Sequence, residues 1–180
     1  MNKVYSMVAV LFAAALAGCG QFPIQTDAST FSIEPAAVAH LRAQQAVALK
    51  NGYAAPAQAN MPQGRGQIWT SDLKQLTETA ISMLGRALEK QGIRIAPEAE
   101  KTVTLRVHEL RAGMYGVMIH PRVRAMLVLD AQYADGATTS VHALNTSPMG
   151  APRAIDGAVL FALNDLVRNE QFVSYVNGPK

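Results

Sequence analysis

Apolar side chains recur at helical spacing over residues 71–91 and predict the longest helix of the chain. Thr70 or Ser71 can cap its first turn, and Asp72 complements the positive end of the helix dipole. Gly92 can close the last turn in the left-handed conformation that glycine adopts readily. The sequence therefore predicts an amphipathic helix with a start, a buried face and an end.

Strict alternation of apolar and polar residues predicts extended structure elsewhere. The predicted strands are residues 43–53, 102–110, 122–136 and 138–147. Residues 111–121 contain the glycines of a turn or bulge, and Asp135-Gly136 is typical of a hairpin turn. Residues 54–67 are rich in Ala, Pro, Gly and Gln, which predicts a loop.

A second helical stripe at residues 153–169 completes the predicted order β-α-β-β-β-α. A crossover through a helix implies a parallel pair of strands, and the last three strands form an antiparallel meander. We therefore predict an α+β fold, a two-layer sandwich in which two helices pack on one face of an approximately four-stranded mixed sheet. Leu84 of the first helix should face Leu105 or Leu127 in the core.

The N-terminus has the pattern of a secretory signal. Lys3 supplies a positive start, and residues 4–16 form an apolar run too short to span a bilayer. The following Leu-Ala-Gly-Cys run, residues 16–19, resembles the lipobox of bacterial lipoproteins. That resemblance implies removal of residues 1–18 as a signal peptide and attachment of lipid to Cys19, whose thiolate is a good nucleophile. The alternatives are an ordinary signal peptide that contains a cysteine and a buried structural thiol.

Residues 19–40 show no clear periodicity and contain Pro23 and Pro35, so they are interpreted as the lipidated cysteine and a flexible tether. Residues 41–180 are then a single α+β domain. The protein should be held to a membrane of the cell envelope by lipid. Because no Asp follows Cys19, the periplasmic face of the outer membrane is the expected location if the source is Gram-negative.

The order of these elements resembles the YajG-like family of bacterial envelope lipoproteins. The resemblance covers residues 40–177, through the helix-to-strand unit SDLKQLTETAISMLGRALEKQGIRI, the meander from VTLRVHEL to VLDAQYADG and the closing AIDGAVLFALNDLVRNEQFVSYV. It implies an envelope lipoprotein without a defined biochemical role and without a catalytic motif. Among site residues it transfers only Cys19.

Composition narrows the possible functions further. The formal charge of +3 is small and no polybasic cluster is present, which argues against a nucleic-acid binder. No nucleophile elbow, phosphate-binding loop or metalloprotease motif occurs, so we expect no enzymatic activity and no cofactor. Two of the four histidines lie on meander strands and could share a face with a third near the turn, but isolated or hydrogen-bonded histidines are the expectation, so no metal site is predicted. The four histidines are His40, His108, His120 and His142.

Arginines form the one surface feature that suggests binding. Alternation places Arg106, Arg122 and Arg124 on the outer face of adjacent strands, and Arg111 lies at the turn. Guanidinium groups bind phosphate and carboxylate through paired donors, so an anionic lipid or an acidic envelope protein is the candidate partner. The alternative is a solvated strand face. Exposed apolar residues at the turn either add to a binding loop or fold back on the core; they are Met114, Tyr115 and Met118.

Two classes of function fit this pattern. The first is a membrane-anchored lipoprotein with a non-enzymatic binding or scaffolding role in the cell envelope. The second is an accessory lipoprotein that handles lipid or a small ligand for an envelope transport system. A cavity distinguishes them, because ligand handling needs an apolar pocket between helices and sheet, whereas a scaffold needs a filled core and an exposed patch.

Overall fold

The computed structural model describes residues 20–27, 30–43, 45–116 and 121–178. Within these ranges the chain forms strands and helices with the following bounds: β1 (Gln21–Pro23), α1 (Pro35–Val38), β2 (Val47–Asn51), β3 (Gln58–Gly64), β4 (Gln67–Asp72), α2 (Leu73–Lys90), β5 (Lys101–Tyr115), β6 (Arg122–Tyr133), β7 (Thr138–Ser147), α3 (Ala151–Arg168) and α4 (Glu170–Asn177). Three residues singled out in the sequence lie outside the described ranges, as does the signal peptide; they are Cys19, Met118 and His120.

The main sheet has four strands in the order β2-β5-β6-β7. β2 runs parallel to β5, and β5, β6 and β7 pair antiparallel. The apolar residues of the alternating pattern are buried on one side of this sheet, among them Val103, Leu105 and Leu129. The predicted α+β class, the mixed sheet and the parallel first pair are therefore confirmed.

A β-bulge in β5 changes the pattern along that strand. The register between β5 and β6 shifts between Val107 and Glu109. Because an extra residue sits in one strand, the side chains that face the core change from odd to even positions: Val107 is buried before the shift and Leu110 after it. The bulge thereby leaves both Arg106 and Arg111 exposed on the side away from the core.

Helices α2 and α3 cover the apolar side of the sheet. α2 packs on β2 and β5, while α3 packs on β6 and β7. Leu84 of α2 is fully buried in the cluster that includes Leu105 and Leu127, as its place in the apolar stripe predicts. Ile155 and Leu163 of α3 are also fully buried. The space between helices and sheet is thus filled by aliphatic side chains.

Helix α2 begins at Leu73, two residues later than the sequence predicts. Its N-cap is Asp72, whose carboxylate accepts hydrogen bonds from the backbone N–H groups of Lys74 at 2.8 Å and Gln75 at 3.4 Å. Thr70 and Ser71, the predicted caps, instead lie buried in strand β4. Asp72 therefore acts as the cap itself in addition to complementing the dipole.

A second sheet has the strand order β1-β4-β3. β3 and β4 form an antiparallel hairpin, so the loop predicted over residues 54–67 is wrong for β3. The strand escapes a search for alternation because Met61 is its only buried residue. Its stability comes from the backbone ladder to β4 and from the Gln63 side chain, which donates a hydrogen bond to the Ala112 carbonyl at 2.8 Å.

The flexible tether predicted over residues 19–40 is packed against the domain wherever it is described. β1 pairs in parallel with β4. Ile33, Ala37 and Val38 are buried in the main core. These apolar residues are too few to show a period, yet they contact the core. The folded domain therefore includes the chain from Gly20 and does not begin at residue 41.

The C-terminal helices agree with the predicted pattern. α3 starts within two residues of the predicted position, and Pro152 occupies its first turn, where proline is well tolerated. Asn169 ends α3 and caps α4 by accepting hydrogen bonds from the N–H groups of Gln171 and Phe172. Among the helices in the described ranges, none has the length and apolar character needed to cross a bilayer.

Candidate binding surface at one end of the sheet

The outer face is the side of the main sheet that points away from α2 and α3. Strand alternation places all four singled-out arginines on it: Arg106 and Arg111 from β5, and Arg122 and Arg124 from β6. The outer face also carries an apolar pair, Met126 of β6 opposite Leu144 of β7. The outer face therefore combines cationic and apolar side chains, and neither α2 nor α3 covers it.

Arg106 stands apart from the other three arginines. It pairs in register with Asp130, whereas Arg122 pairs with Tyr115. Eight residues of β6 separate these two positions, about 26 Å at the usual rise of a strand. The Arg106 guanidinium lies 4.8 Å from the centroid of the Tyr53 ring. The four arginines therefore do not form one patch, and Arg106 lies opposite Asp130 on the neighbouring strand.

The other arginines belong to one end of the domain, which the β5–β6 hairpin reaches at the pair Tyr115 and Arg122. The β3–β4 turn lies at the same end, because the hydrogen bond from Gln63 to Ala112 fixes the end of β3 beside the end of β5. Arg65 occupies this turn between two glycines and is exposed.

Two more segments meet at this end. β1 starts there, because the Ile68 N–H donates a hydrogen bond to the Gly20 carbonyl at 3.3 Å. β7 finishes there, because Ser147 pairs with Val123 near the start of β6. We call this region the hairpin end and define it as residues 20–23, 62–68, 109–116, 121–124 and 146–152.

An arginine and a tyrosine stack at the centre of the hairpin end. The Arg124 guanidinium lies 3.7 Å from the centroid of the Tyr115 ring. The residue directly opposite Arg124 is Gly113, which has no side chain to block this diagonal contact. The Nε atom of Arg124 is buried and has no hydrogen-bond partner among the described residues. The stacking holds the cation in place while leaving it donors for an anionic ligand.

An open groove of about 380 Å³ runs along the outer face beside this pair. Its lining includes the apolar residues Met114, Met126 and Leu144. Arg111 and Arg124 line it as well. The groove therefore offers a ligand apolar contact and cationic groups within one concave surface, which suits an anionic amphipathic partner.

Charge at the hairpin end is unbalanced. Its charged residues are Arg65, Arg111, Arg122, Arg124 and one acidic residue, Glu109. Glu109 forms an ion pair with Arg111. The remaining arginines have no carboxylate within the segments that define this end, so the region carries a net positive charge.

Exposed apolar side chains concentrate at the same end. Six large apolar residues are exposed in the described part of the chain, and the hairpin end holds four of them. These four are Phe22, Met114, Tyr115 and Met149. The sequence indicates Met114 and Tyr115 but gives no sign of Phe22, Arg65 or Met149, because only the tertiary fold brings their segments together.

The three histidines in the described ranges do not converge on one site. The His108 ring contacts the Asp130 carboxylate at 3.1 Å, and the His40 ring contacts the Val167 carbonyl at 2.9 Å. His142 is exposed on β7. The described ranges contain no cluster of three or more His, Cys, Asp or Glu residues with the proximity that a metal ion needs.

A buried carboxylate lies outside the hairpin end, on α3. Asp156 is 1% exposed; its Oδ2 atom accepts a hydrogen bond from the Asp27 N–H at 3.4 Å, and its Oδ1 atom has no partner among the described residues. Burial raises the pKa of this carboxyl above its ordinary value, while the Asp27 N–H and the charge of Arg153 act in the opposite direction.

No family model matches the chain, and no curated protein matches it. Among solved structures the chain is similar to protein XCC0632 from Xanthomonas campestris, family-model DUF330. The two share 14% sequence identity with a TM-score of 0.49, over 87% of this chain and 94% of that chain. The function has to be inferred from the residues themselves.

Proposed function

We propose that this chain is a lipid-anchored protein of the bacterial cell envelope, attached through Cys19, with a non-enzymatic binding or scaffolding role. The observation that carries the proposal is the Leu-Ala-Gly-Cys run directly after an apolar segment, with no other cysteine in the chain. Membership of a YajG-like family and a place on the periplasmic face of the outer membrane are parts of the same proposal.

The hairpin end supports a binding role. Arg111, Arg122 and Arg124 lie beside exposed apolar side chains, and the neighbouring groove is open to solvent. The interior between helices and sheet is occupied by side chains such as Leu84 and Ile155. A filled interior and an exposed cationic surface favour a partner bound at the surface over a ligand carried inside.

Metabolic labelling with radioactive palmitate tests the anchor. Wild-type protein should take up label, and Cys19→Ala should take up none and keep its signal peptide. Gln25→Ala, at an exposed position near the start of the described chain, is the matched control and should be labelled like wild type. Equal labelling of Cys19→Ala and wild type would contradict the proposal.

A further inference from the structure

We infer that the partner of the hairpin end is the surface of the membrane that holds the Cys19 lipid. The hairpin end then faces this membrane and contacts its anionic phospholipid headgroups. The inference rests on the proposed function, because it takes lipid attachment at Cys19 as its starting point. It adds an orientation and a chemical partner, which the proposed function leaves open.

The chain enters the domain at the hairpin end. Gly20 is already fixed to β4 by the hydrogen bond from Ile68. A single peptide bond joins Cys19 to Gly20, and consecutive Cα atoms are about 3.8 Å apart. A lipid on Cys19 would therefore enter the bilayer immediately beside the hairpin end, with no spacer to hold the domain away.

Exposed apolar side chains surround the point at which the chain enters the domain. Phe22 is 48% exposed, Tyr115 51%, Met114 61% and Met149 74%. These residues come from three separate segments, and burying them requires a broad partner rather than a narrow pocket. Aromatic side chains with a polar atom, such as Tyr115, are favourable at the boundary between headgroups and acyl chains.

The hairpin end also carries a net positive charge. Arg65, Arg122 and Arg124 have no carboxylate within the hairpin end, and cations close to an anionic leaflet are attracted to it. The opposite end of the domain differs in both respects. The β6–β7 turn there carries Asp135, and residues 94–101 balance Glu98 and Glu100 against Arg94 and Lys101, so these segments have no excess of positive charge. None of the exposed large apolar residues of the described chain lies in these segments.

Site-specific fluorescence on the lipidated full-length protein tests this orientation. Cys19 is the only native cysteine, so once it is acylated an introduced cysteine is the only free thiol. An environment-sensitive dye is attached to Met114→Cys at the hairpin end or to Ala134→Cys in the β6–β7 turn, the matched control. Both positions are exposed, and the length of β6 separates the two ends by about 36 Å.

The labelled proteins are reconstituted into vesicles made of equal parts of phosphatidylglycerol and phosphatidylethanolamine. We expect the dye at position 114 to shift its emission to the blue and to be quenched several-fold more by spin-labelled lipid than the dye at position 134. Water-like emission without quenching at both positions, in protein that floats with the vesicles, would overturn the orientation and leave the lipid anchor intact.

Two other outcomes are distinguishable from that one. Protein that carries no lipid by mass spectrometry and does not float would overturn the proposed function and this inference together. The emission of the dye at position 114 could instead shift to the blue only after envelope proteins are added, without quenching by spin-labelled lipid. That result would overturn the membrane assignment in favour of a protein partner.

Discussion

The guanidinium of Arg124 lies 3.7 Å from the centre of the Tyr115 ring, across a glycine on the neighbouring strand. The contact joins the two features that distinguish the hairpin end, exposed apolar area and unbalanced positive charge. It also orders a cation at the surface before any partner binds, which lowers the entropy lost on binding.

Replacing Tyr115 tests this contact. Tyr115→Leu should lower the free energy of unfolding by about 0.5–1 kcal/mol, the usual contribution of an exposed cation–π pair. Tyr115→Phe keeps the ring and should unfold like wild type in urea. A phenylalanine variant as destabilised as the leucine variant would show that the hydroxyl, rather than the ring, matters.

Leu84 tests the packing of α2 on the sheet. Leu84→Ala should destabilise the domain by about 2–5 kcal/mol, because the side chain is fully buried and its removal leaves a cavity. Ser82→Ala, at an exposed position of the same helix, should stay within about 0.5 kcal/mol of wild type. Chemical denaturation of the unlipidated chain from Gly20 onward measures both values, and equal stability of the two variants would contradict the assigned buried face.

Asp72 tests the start of α2. Asp72→Ala should cost about 1 kcal/mol of stability, since the Lys74 and Gln75 N–H groups lose their acceptor. Asp72→Asn retains an acceptor oxygen and should lose less. Thermal unfolding compares the two variants; an alanine variant that melts with wild type would mean that the cap contributes nothing.

Asp156 gives a pH-dependent prediction. Burial raises the pKa of its carboxyl in the folded state, so the unfolded chain releases this proton at lower pH than the folded protein does. Ionisation then costs stability, and the cost grows as the pH rises from about 4, the ordinary value for Asp, through the folded-state pKa. Asp156→Asn removes the cost, so its stability relative to wild type should increase from acidic to neutral pH.

Urea unfolding at several pH values measures this difference. Asp165→Asn is the matched control, because it makes the same change of side chain at an exposed position of the same helix. A difference between wild type and Asp156→Asn that is independent of pH would contradict the role assigned to burial.

The parts of the fold that the sequence predicts correctly are those with a dense periodic signal. α2 and the strands β5 to β7 repeat apolar residues at 3.6 or 2 positions, and each buries one continuous face. The β5 bulge at Val107 and Glu109 is harder to foresee, because a single shifted residue leaves the overall alternation recognisable.

The parts that the sequence misses depend on contacts between distant segments. β3 buries only Met61, and β1 is three residues long, so neither has a local period to detect. The proposed binding surface also depends on contacts between distant segments. Arg122 and Arg124 are visible from alternation, whereas Phe22 and Arg65 join them only because the second sheet places β1 and the β3–β4 turn beside the hairpin.

Vesicle sedimentation of the unlipidated chain from Gly20 onward tests most directly the central claim, that the hairpin end binds an anionic surface. The probe is phosphatidylglycerol vesicles at low and at physiological salt. Wild type should sediment with them and should bind less at the higher salt, because salt screens exposed charges. The triple variant Arg111→Gln, Arg122→Gln and Arg124→Gln should lose most of this binding while staying folded, with a loss of stability of about 0.5–1 kcal/mol from the missing Arg124–Tyr115 contact. Arg106→Gln, on the same face but outside the hairpin end and about 26 Å from Arg122, should bind like wild type. Equal sedimentation of wild type and the triple variant, without dependence on salt, would contradict the account.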